Sequence, residues 1–460
     1  MKTLSNIIDD DFFQAQKGLI VGLIILFTTF LLFPFFTQNS ASNAIQVIIL
    51  GAVASAQYAV LAVGFSLIYG VAKQLKLSLG GYYVVGAYTM YFLLETMDIT
   101  PSLSLFSNID GLILLVLVLL PIILMIVLLV FFWTVFDRRE FIFLLVSPIT
   151  AGGSIILFGG NIVQSFYAGI AVLTLSLAAW YLEFPRREVA IGTFIISATY
   201  PFLNWFGLST SYISLMILSI MFTALLAMFA DRYLLDRFRA SHVNTMIVTF
   251  ALALLYQSII QIFYFPVDGN HIEQFGPEDR TLQTIFPKKP VGFLVDLFGV
   301  YVDNVRITSL ILSIFICLLL YAFIWFSKMG MALRAVSQDE EAAALAGINI
   351  RKITAIVSGL GMGLIAFASI LTSPFSAMPI WFPFMGWWAL IMAIVVVTLG
   401  GMGSLPGSII AAFIIGYLEV IIGSVPVFAP FSIVIPFIII LMVLIFKPEG
   451  LLGEKKELEG

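Results

Sequence analysis

Residues able to do chemistry are scarce in this 460-residue chain, which contains two histidines and one cysteine. His242 and His271 lie far apart in polar stretches, and Cys317 lies inside an apolar run. A single cysteine can form neither an internal disulfide nor a redox pair and supports no metal cluster, and a membrane metalloenzyme usually needs more than two histidines. We therefore predict no catalytic residue, metal site or cofactor site, which disfavours a membrane-embedded enzyme.

A nucleotide-binding loop is disfavoured as well. The glycine-rich stretch GGMGSLPG at 400–407 lacks the Lys-Ser/Thr ending of a phosphate-binding loop and follows no strand pattern. The chain therefore contains no recognisable ATP site.

Acidic residues in apolar surroundings could couple transport to protons or ions. Of the 26 acidic residues, only Glu419 lies well inside an apolar stretch, and Glu95 lies at the end of one. Transporters driven by protons or sodium usually carry acidic groups or broken helices near the membrane midplane. One glutamate is weak support for that class, so both a structural hydrogen bond and a functional role stay open for Glu419.

The polar segment 328–352 has the sharpest pattern in the chain and reads KMGMALRAVSQDEEAAALAGINIRK. It is charged, rich in alanine and helix-favouring, and Gly347 is a plausible helix stop. We expect a short rigid helix over 334–347 that lies along the membrane and receives force from a soluble partner. A solvated loop helix without a partner is the alternative.

The composition indicates whether the protein is surrounded by water or by lipid. Hydrophobic residues make up 61% of the sequence and charged residues 10%, whereas a soluble domain carries about 25% charged residues. A surface this apolar requires lipid around it, so we predict an all-α integral membrane protein. The net charge of -4 is spread out, and no basic patch indicates a nucleic-acid partner.

Apolar runs long enough to cross a bilayer core of about 30 Å recur along the whole chain. They predict a helical bundle of about fourteen transmembrane spans: 18–36, 45–71, 79–94, 112–136, 141–158, 162–182, 188–206, 212–230, 243–265, 307–327, 353–373, 387–400, 408–423 and 431–446.

The basic residues give these spans an orientation. If the amino terminus is cytoplasmic, 18 of the 22 basic residues fall in segments on the inner side. The other four lie in one long outer loop, 266–306, whose stretch VGFLVDLFGVYVDNV predicts a small β-hairpin. This positive-inside pattern predicts a multi-pass protein of the cell membrane with both termini in the cytoplasm.

The span 45–71 combines small residues with polar ones. Gly51, Ser55 and Ala59 recur at four-residue spacing, which lets neighbouring helix backbones approach closely. A solute pathway would place polar groups inward, although packed helix faces use such groups too. We assign six residues to a translocation pathway: Gln57, Tyr58, Tyr69, Gln74, Ser404 and Glu419.

Several of these stretches resemble a known family. EAAALAG at 341–347 has the EAA-x3-G spacing of the coupling loop of ABC importer permeases, and the chain resembles the branched-chain amino acid permeases of the LivH type. The stretches that carry the resemblance lie, in the family's order, at 51–88, 328–349, 398–419 and 447–453, with a weaker match at 232–257. LGGMGSLPG and the closing PEGLLG are the most specific of them.

Two features depart from that pattern. Leu79-Gly80-Gly81 stands where these permeases commonly have His-Gly-Glu, which leaves the substrate open. The chain is also longer than usual, and the excess maps to about 112–206. We therefore expect an amino-terminal permease segment at 1–111, about four inserted spans at 112–206 and the remaining permease core at 207–460, with about ten family-like spans.

The resemblance implies a mechanism and a set of partners. Two permease subunits, identical or related, would form the path, and two ATP-binding cassette subunits would bind ATP and magnesium. An extracytoplasmic binding protein would deliver the solute. The resemblance implies that coupling to the ATPases involves Arg334, Glu340, Glu341, Ala342, Ala343 and Gly347.

The resemblance implies branched-chain or other small aliphatic amino acids as substrates, with urea or short amides as the alternative. A secondary transporter or channel that works without ATPases is the alternative from another class, and solute flux by the chain alone would identify it.

Overall fold

The structure of the chain is a computed structural model that describes residues 41–98, 128, 138–157, 162–182, 185–205, 210–238, 241–264, 294–297, 300–372, 385–426, 428–431, 434–446 and 450–452. The predicted span 18–36 and, apart from Leu128, the predicted span 112–136 lie outside these residues. So does the outer loop up to residue 293.

Helices dominate the described part of the chain. In chain order they are α1 (Ala41–Ala72), α2 (Leu79–Asp98), α3 (Arg138–Leu157), α4 (Ile162–Tyr181), α5 (Arg186–Trp205), α6 (Thr210–Tyr233), α7 (His242–Tyr264), α8 (Asn304–Phe326), α9 (Lys328–Gln338), α10 (Glu340–Leu345), α11 (Ile350–Thr372), α12 (Met385–Gly400), α13 (Leu405–Ser424) and α14 (Ile435–Phe446). Two short 3-10 turns lie at Leu235–Phe238 and Ala429–Phe431.

The all-helical membrane architecture is confirmed. In the part of the chain that the structure describes, six helices (α1, α6, α7, α8, α11 and α13) are long and apolar enough to cross a membrane, and shorter apolar stretches occupy α3, α4, α5 and α12. Twelve of the fourteen predicted spans coincide with helices of the structure. The full count of fourteen stays a prediction.

Helix α11 lies at the centre of the bundle, with almost every residue from Ile353 to Leu371 buried. Glycines bring its neighbours close. A Cβ atom built on Gly361 would lie 2.7 Å from the carbonyl oxygen of Gly64 in α1. One built on Gly86 in α2 would lie 2.6 Å from the Cα atom of Ala366. Close approach of this kind gives dispersion contacts that larger side chains would prevent.

Helices α1 and α13 pack closely in the same way. A Cβ atom on Gly416 would lie 2.5 Å from the backbone nitrogen of Ser55, and the Ser55 hydroxyl donates to the carbonyl oxygen of Phe413 at 3.2 Å. The small-residue pattern of the span 45–71 therefore marks a packed helix face, as the sequence indicated.

Helices α3, α4 and α5, which belong to the predicted insert, form a layer with two apolar clusters of its own. Hydrogen bonds between side chains cross the layer. Thr150 donates to Ser197 at 2.9 Å, and Ser176 and Thr193 are 2.8 Å apart. The layer meets the remaining bundle at α6, mainly through α4. Helices α3, α4 and α5 therefore pack along one side of the remaining bundle.

The predicted β-hairpin is confirmed. Strands β1 (Leu294–Leu297) and β2 (Val300–Asp303) pair antiparallel, with Val295 opposite Val302. Val302 is buried, and β2 contacts α1 and α8. A two-stranded hairpin is marginal alone, so packing on the bundle stabilises it.

Replacing Gly416 by leucine tests the close packing of α1 against α13. We expect a loss of about 1–3 kcal/mol or more in the free energy of unfolding, because the neighbouring atoms belong to the rigid backbone of Ser55. The readout is the thermal unfolding midpoint of the purified protein in detergent. Gly192→Leu is the matched control, since nothing lies within 4 Å of a Cβ built there. Equal midpoints for both variants would contradict this packing.

Candidate coupling and translocation site

The candidate coupling segment, residues 327–349, begins with a sharp turn out of α8. The Ser327 hydroxyl accepts a hydrogen bond from the backbone N–H of Gly330 at 2.8 Å and caps α9. A Cβ atom at Gly330 would lie 2.6 Å from the carbonyl oxygen of Phe323, so only glycine fits this turn. The serine and the glycine together fix the direction in which α9 leaves the membrane helix.

One face of α9 anchors the candidate coupling segment to the bundle. Met329, Leu333 and Val336 are buried in the main apolar cluster. Their spacing of three and four residues places them on a single stripe of the helix. Arg334 lies half-buried, with its guanidinium 4.4 Å from the ring centroid of Trp325 in α8. Helix α9 is thus held firmly against α8 and α11.

The single helix expected over 334–347 is wrong, because the structure breaks it at Asp339. The Asp339 backbone is extended, and its carboxylate accepts hydrogen bonds from the N–H groups of Glu341 at 2.9 Å and Ala342 at 3.0 Å. Aspartate is a strong N-cap residue, so it starts a new helix here despite the helix-favouring alanines. The separate helix α10 follows at an angle set by this cap.

Helix α10 ends where the sequence predicted. Gly347 has a φ of +85°, the left-handed conformation that glycine adopts without strain. Its N–H donates to the carbonyl oxygen of Ala344 at 3.0 Å, and the N–H of Ile348 donates to the carbonyl oxygen of Ala343 at 3.1 Å. These bonds satisfy carbonyl groups at the helix end and lead the chain directly into α11.

The predicted coupling residues divide into two groups. Glu340, Glu341, Ala342 and Gly347 are exposed on α10 and its end. Ala343 is buried against the bundle, and Arg334 of α9 lies over the Trp325 ring of α8. Sequence reasoning missed Leu345, whose side chain is 90% exposed at the tip of this surface. The apolar position inside the otherwise small-residue run EAAALAG was the signal that could have identified it.

A polar cluster inside the bundle contains two of the predicted pathway residues. The Tyr58 hydroxyl of α1 donates to the Glu419 carboxylate of α13 at 2.7 Å, across 361 positions of sequence. Trp388 of α12 also interacts with the Tyr58 side chain. Tyr58 and Glu419 are half-buried and Trp388 is 38% exposed, so the cluster reaches an accessible surface.

Gln57 points to a different part of the bundle from its neighbour Tyr58. Its amide nitrogen lies 3.3 Å from both the Ser309 hydroxyl in α8 and the carbonyl oxygen of Leu371 in α11, and the residue is 6% exposed. These bonds join three helices. The structure therefore separates Gln57 from the polar cluster of Tyr58, Trp388 and Glu419.

The turn between α12 and α13 contains the predicted pathway residue Ser404, and the ring of a second one, Tyr69, lies beside the neighbouring Gly403. The Ser404 hydroxyl accepts a hydrogen bond from the N–H of Gly407 at 3.2 Å and caps α13. Gly403 has a φ of +88°, and a Cβ atom there would lie 3.9 Å from the Tyr69 ring. Gln74 lies further along, half-buried in the segment after α1.

The carboxyl-terminal stretch completes the same turn. The N–H groups of Leu451 and Leu452 donate to the carbonyl oxygens of Leu399 and Gly400 at 2.8 Å and 3.0 Å. Gly450 has a φ of +80°, and a Cβ atom there would lie 2.6 Å from the nitrogen of Gly401. The two most specific sequence stretches therefore contact each other in the fold.

An ion pair buried at the same end of the bundle escaped the sequence analysis. The Lys76 ammonium pairs with the Asp231 carboxylate at the end of α6, and it also lies 2.5 Å from the Ser358 hydroxyl in α11. The two charged side chains are 3% and 2% exposed. Because both residues lie at the ends of predicted spans, their positions in the sequence favoured solvent exposure.

Of the residues considered first for chemistry, His271 lies outside the described residues, and the other two lie on different helices. His242 is exposed at the start of α7, and Cys317 is half-buried in α8. Within the described ranges, no group of three or more histidine, cysteine or acidic side chains could hold a metal ion.

Fold and site together define a multi-pass helical membrane protein of the transport permease class. The family model described as branched-chain amino acid transport system, permease component, matches residues 187–444, which is more than half of the chain. The chain belongs to this family and is a permease of the LivH type. The match begins at α5, so it includes the last helix of the predicted insert.

Curated relatives agree with the family model. The chain is 30% identical over 178 residues to the high-affinity branched-chain amino acid transport system permease protein LivH of Escherichia coli (strain K12), covering 39% of this chain and 57% of LivH. It is 29% identical over 177 residues to the corresponding protein BraD of Pseudomonas aeruginosa, covering 38% and 56%. The chain thus spans little more than half the length of these relatives. No solved structure matches it.

Neutralising Asp231 tests the buried ion pair. The variant Asp231→Asn keeps the size of the side chain but removes its charge from beside the buried Lys76 ammonium. We expect a loss of about 3–5 kcal/mol in the free energy of unfolding, since an uncompensated buried charge is costly. The measurement is equilibrium unfolding in mixed detergent micelles.

The double variant Lys76→Met, Asp231→Leu is the matched control for this prediction. It removes both charges, so we expect most of the lost stability to return. A single variant as stable as the parent protein would contradict a paired, buried charge at Lys76.

Proposed function

We propose that this chain is the transmembrane permease subunit of an ABC importer for branched-chain or other small aliphatic amino acids. The observation that carries the proposal is the candidate coupling segment, in which an exposed helix with the EAA-x3-G pattern stands on a buried, anchored one. The family and its relatives support the transport of branched-chain amino acids. The protein would lie in the cell membrane of a prokaryote with both termini in the cytoplasm.

The proposed coupling mechanism starts at α10. An ATPase groove would hold Glu340, Glu341 and Leu345, while the small residues Ala342 and Gly347 allow a close fit. Movement of α10 passes to α11 through the tight turn at Gly347 and to α8 through the anchored α9. Since α9 is fixed by three buried side chains and by Arg334 on Trp325, little of this movement is lost in bending.

The proposed assembly contains a second permease subunit, two ATPase subunits and an extracytoplasmic binding protein. ATP and magnesium would bind in the ATPases, so this chain supplies the path and the coupling surface. We retain the fourteen spans, the insert at 112–206 and the flanking permease segments at 1–111 and 207–460 as part of this proposal.

The polar cluster of Tyr58, Trp388 and Glu419 is the strongest candidate for a contact with solute. A carboxylate held by a tyrosine can accept a hydrogen bond from the ammonium group of an amino acid. Tyr69, Gln74 and Ser404 would line the inner part of the same path. Gln57, which joins three helices, would maintain the shape of the path.

Disrupting α10 should detach the ATPases. We expect Glu341→Arg, Gly347→Trp to lose the two ATPase subunits during purification from native membranes in mild detergent. Charge reversal and a bulky residue at a φ of +85° both oppose close docking. The readout is the amount of ATPase per permease by quantitative mass spectrometry, with size-exclusion elution as the check on folding.

The control variant for this experiment is Arg237→Glu, which reverses an exposed charge in the 3-10 turn outside the candidate coupling segment. It should retain the ATPases. If the unaltered protein brings down no ATPase and transports solute alone, a secondary transporter or channel replaces the ABC proposal.

Removing the hydrogen bond of the polar cluster should reduce transport. We expect Tyr58→Phe and Glu419→Gln each to lower ATP-dependent uptake of labelled leucine by about tenfold. This factor corresponds to the free energy of one hydrogen bond to a charged group. The double variant should be little worse than either single one, because both changes break the same contact. Uptake is measured in proteoliposomes that contain the whole assembly.

Tyr321→Phe is the matched control, because this tyrosine is 60% exposed on α8 and lies outside the polar cluster. It should transport leucine at the parent rate. If urea competes fully with leucine for uptake and isoleucine does not compete, the substrate is urea or a short amide rather than an aliphatic amino acid. Unchanged uptake in both single variants would remove the polar cluster from the path.

A further inference from the structure

The inner link, which we define as residues 73–78, joins α1 to α2 at the inner end of the proposed solute path. It leaves α1 by a sharp turn, since Lys73 has a φ of +51° and its N–H donates to the carbonyl oxygen of Tyr69 at 2.9 Å. Among the residues that the structure describes, no other non-glycine residue has a positive φ. A residue with a side chain keeps this conformation only where its surroundings hold it, so contacts must fix the inner link.

Contacts with α6, α7 and α11 hold the inner link in place. The Lys76 ammonium pairs with the Asp231 carboxylate at the end of α6 and lies 2.5 Å from the Ser358 hydroxyl of α11. The N–H of Leu77 donates to the Thr249 hydroxyl of α7 at 3.2 Å. A short segment between two helices is thus tied through side chains to three further helices.

Ser358 connects the inner link to the helix that the candidate coupling segment enters. Its hydroxyl donates its proton to the carbonyl oxygen of Thr354 at 2.9 Å, so its lone pairs accept from the Lys76 ammonium. Ser358 lies eight residues after Ile350, where α11 begins, which corresponds to about 12 Å of helix. Because α11 is buried along most of its length, we expect it to move as one rigid unit and to carry a displacement of α10 to Ser358.

The inner link also contacts the proposed path. Gln74 belongs to the inner link, and Tyr69 lies in the last turn of α1 directly before it. A Cβ atom built on Gly70 would lie 3.5 Å from the carbonyl oxygen of Gly403, which precedes Ser404. The residues that we propose for the inner part of the path therefore lie on the inner link or beside it, and they follow its movement.

A buried ion pair can transmit movement for a physical reason. Apolar contacts are non-directional, so apolar surfaces slide past one another at little cost. An ammonium and a carboxylate removed from water must stay together, because separation leaves each charge unpaired. Lys76 and Asp231 are 3% and 2% exposed, so bulk water does not replace either partner. The inner link therefore moves with α6 and α11 rather than slipping against them.

We propose that Lys76 is a positioning residue for transport, which makes the inner part of the solute path follow the movement of α10. Through Ser358 and Asp231, it joins the inner link to α11 and α6. This inference rests on the proposed ABC function and supplies the step between α11 and the solute. Without the ammonium, the ATPases continue to hydrolyse ATP, but the path no longer opens in step with hydrolysis.

The test compares leucine uptake with ATP hydrolysis in proteoliposomes that contain the whole assembly. Lys76→Met, Asp231→Leu removes both charges, and apolar replacement of a buried pair often preserves stability. We expect this variant to hydrolyse ATP but to import about tenfold less leucine per ATP, the factor that corresponds to one charged hydrogen bond. A purely structural role would lower uptake and hydrolysis together and leave their ratio unchanged.

Ser358→Ala is a milder second variant, because it removes the hydroxyl of α11 and leaves the ion pair in place. We expect about threefold less leucine per ATP, in line with the loss of one hydrogen bond. Its matched control is Ser176→Ala, which removes a buried hydroxyl from the added layer of helices. This control should keep the parent ratio.

The matched control for the double variant is Arg351→Gln, Asp236→Asn. These residues also form an ion pair between α11 and the segment after α6, with 3.4 Å between the nitrogen and the oxygen. The Arg351 side chain is 80% exposed, and exposed pairs contribute little to holding two elements together. We expect the leucine imported per ATP to equal that of the unaltered protein.

A parent ratio of leucine to ATP in the folded double variant would overturn the role of Lys76. If the double variant does not fold, the same result in Ser358→Ala overturns it. Failure of the proposed function gives a different result, because the unaltered protein itself then shows no ATP-dependent uptake. If only this inference fails, the unaltered protein still imports leucine and still retains its ATPases.

Discussion

Close approach of helix backbones is the constraint on which this structure depends. In a bilayer every backbone polar group is satisfied inside its helix, and helices attract one another by packing rather than by escape from water. Helix α11 meets α1 at Gly64 and Gly361 and meets α2 at Gly86, with gaps too small for a side chain. The same helices carry functional groups, since Tyr58 of the polar cluster lies on α1 and Ser358, which contacts the buried Lys76, lies on α11.

Much of this architecture could be predicted because lipid imposes a simple rule on sequence. Apolar runs of about 20 residues marked most helices, and alternation around Gly299 marked the hairpin. Asp339 shows where the rule ends. Alanine-rich composition favours one continuous helix, but a single N-cap carboxylate within hydrogen-bonding distance of two N–H groups starts a new one. Local capping thus outweighed average propensity.

The candidate site was less predictable because it consists of contacts between distant parts of the sequence. Tyr58 and Glu419 were both singled out for their polarity, yet only the fold brings them together. Gln57 has the same polarity, but the helical rotation of one residue turns it into the core. Lys76 and Asp231 lie at span ends, where sequence alone gives no means of telling a buried pair from two solvated charges.

The buried pair also has a consequence for how the protein is made. Lys76 leaves the ribosome 155 residues before Asp231, and helices α2, α3, α4 and α5 are synthesised in between. Until α6 is inserted, the lysine must stay at the water interface, since a lone charge does not enter lipid cheaply. The segment after α1 can therefore settle against the bundle only after α6 is in place. The order of membrane insertion is thus built into the spacing of two charges.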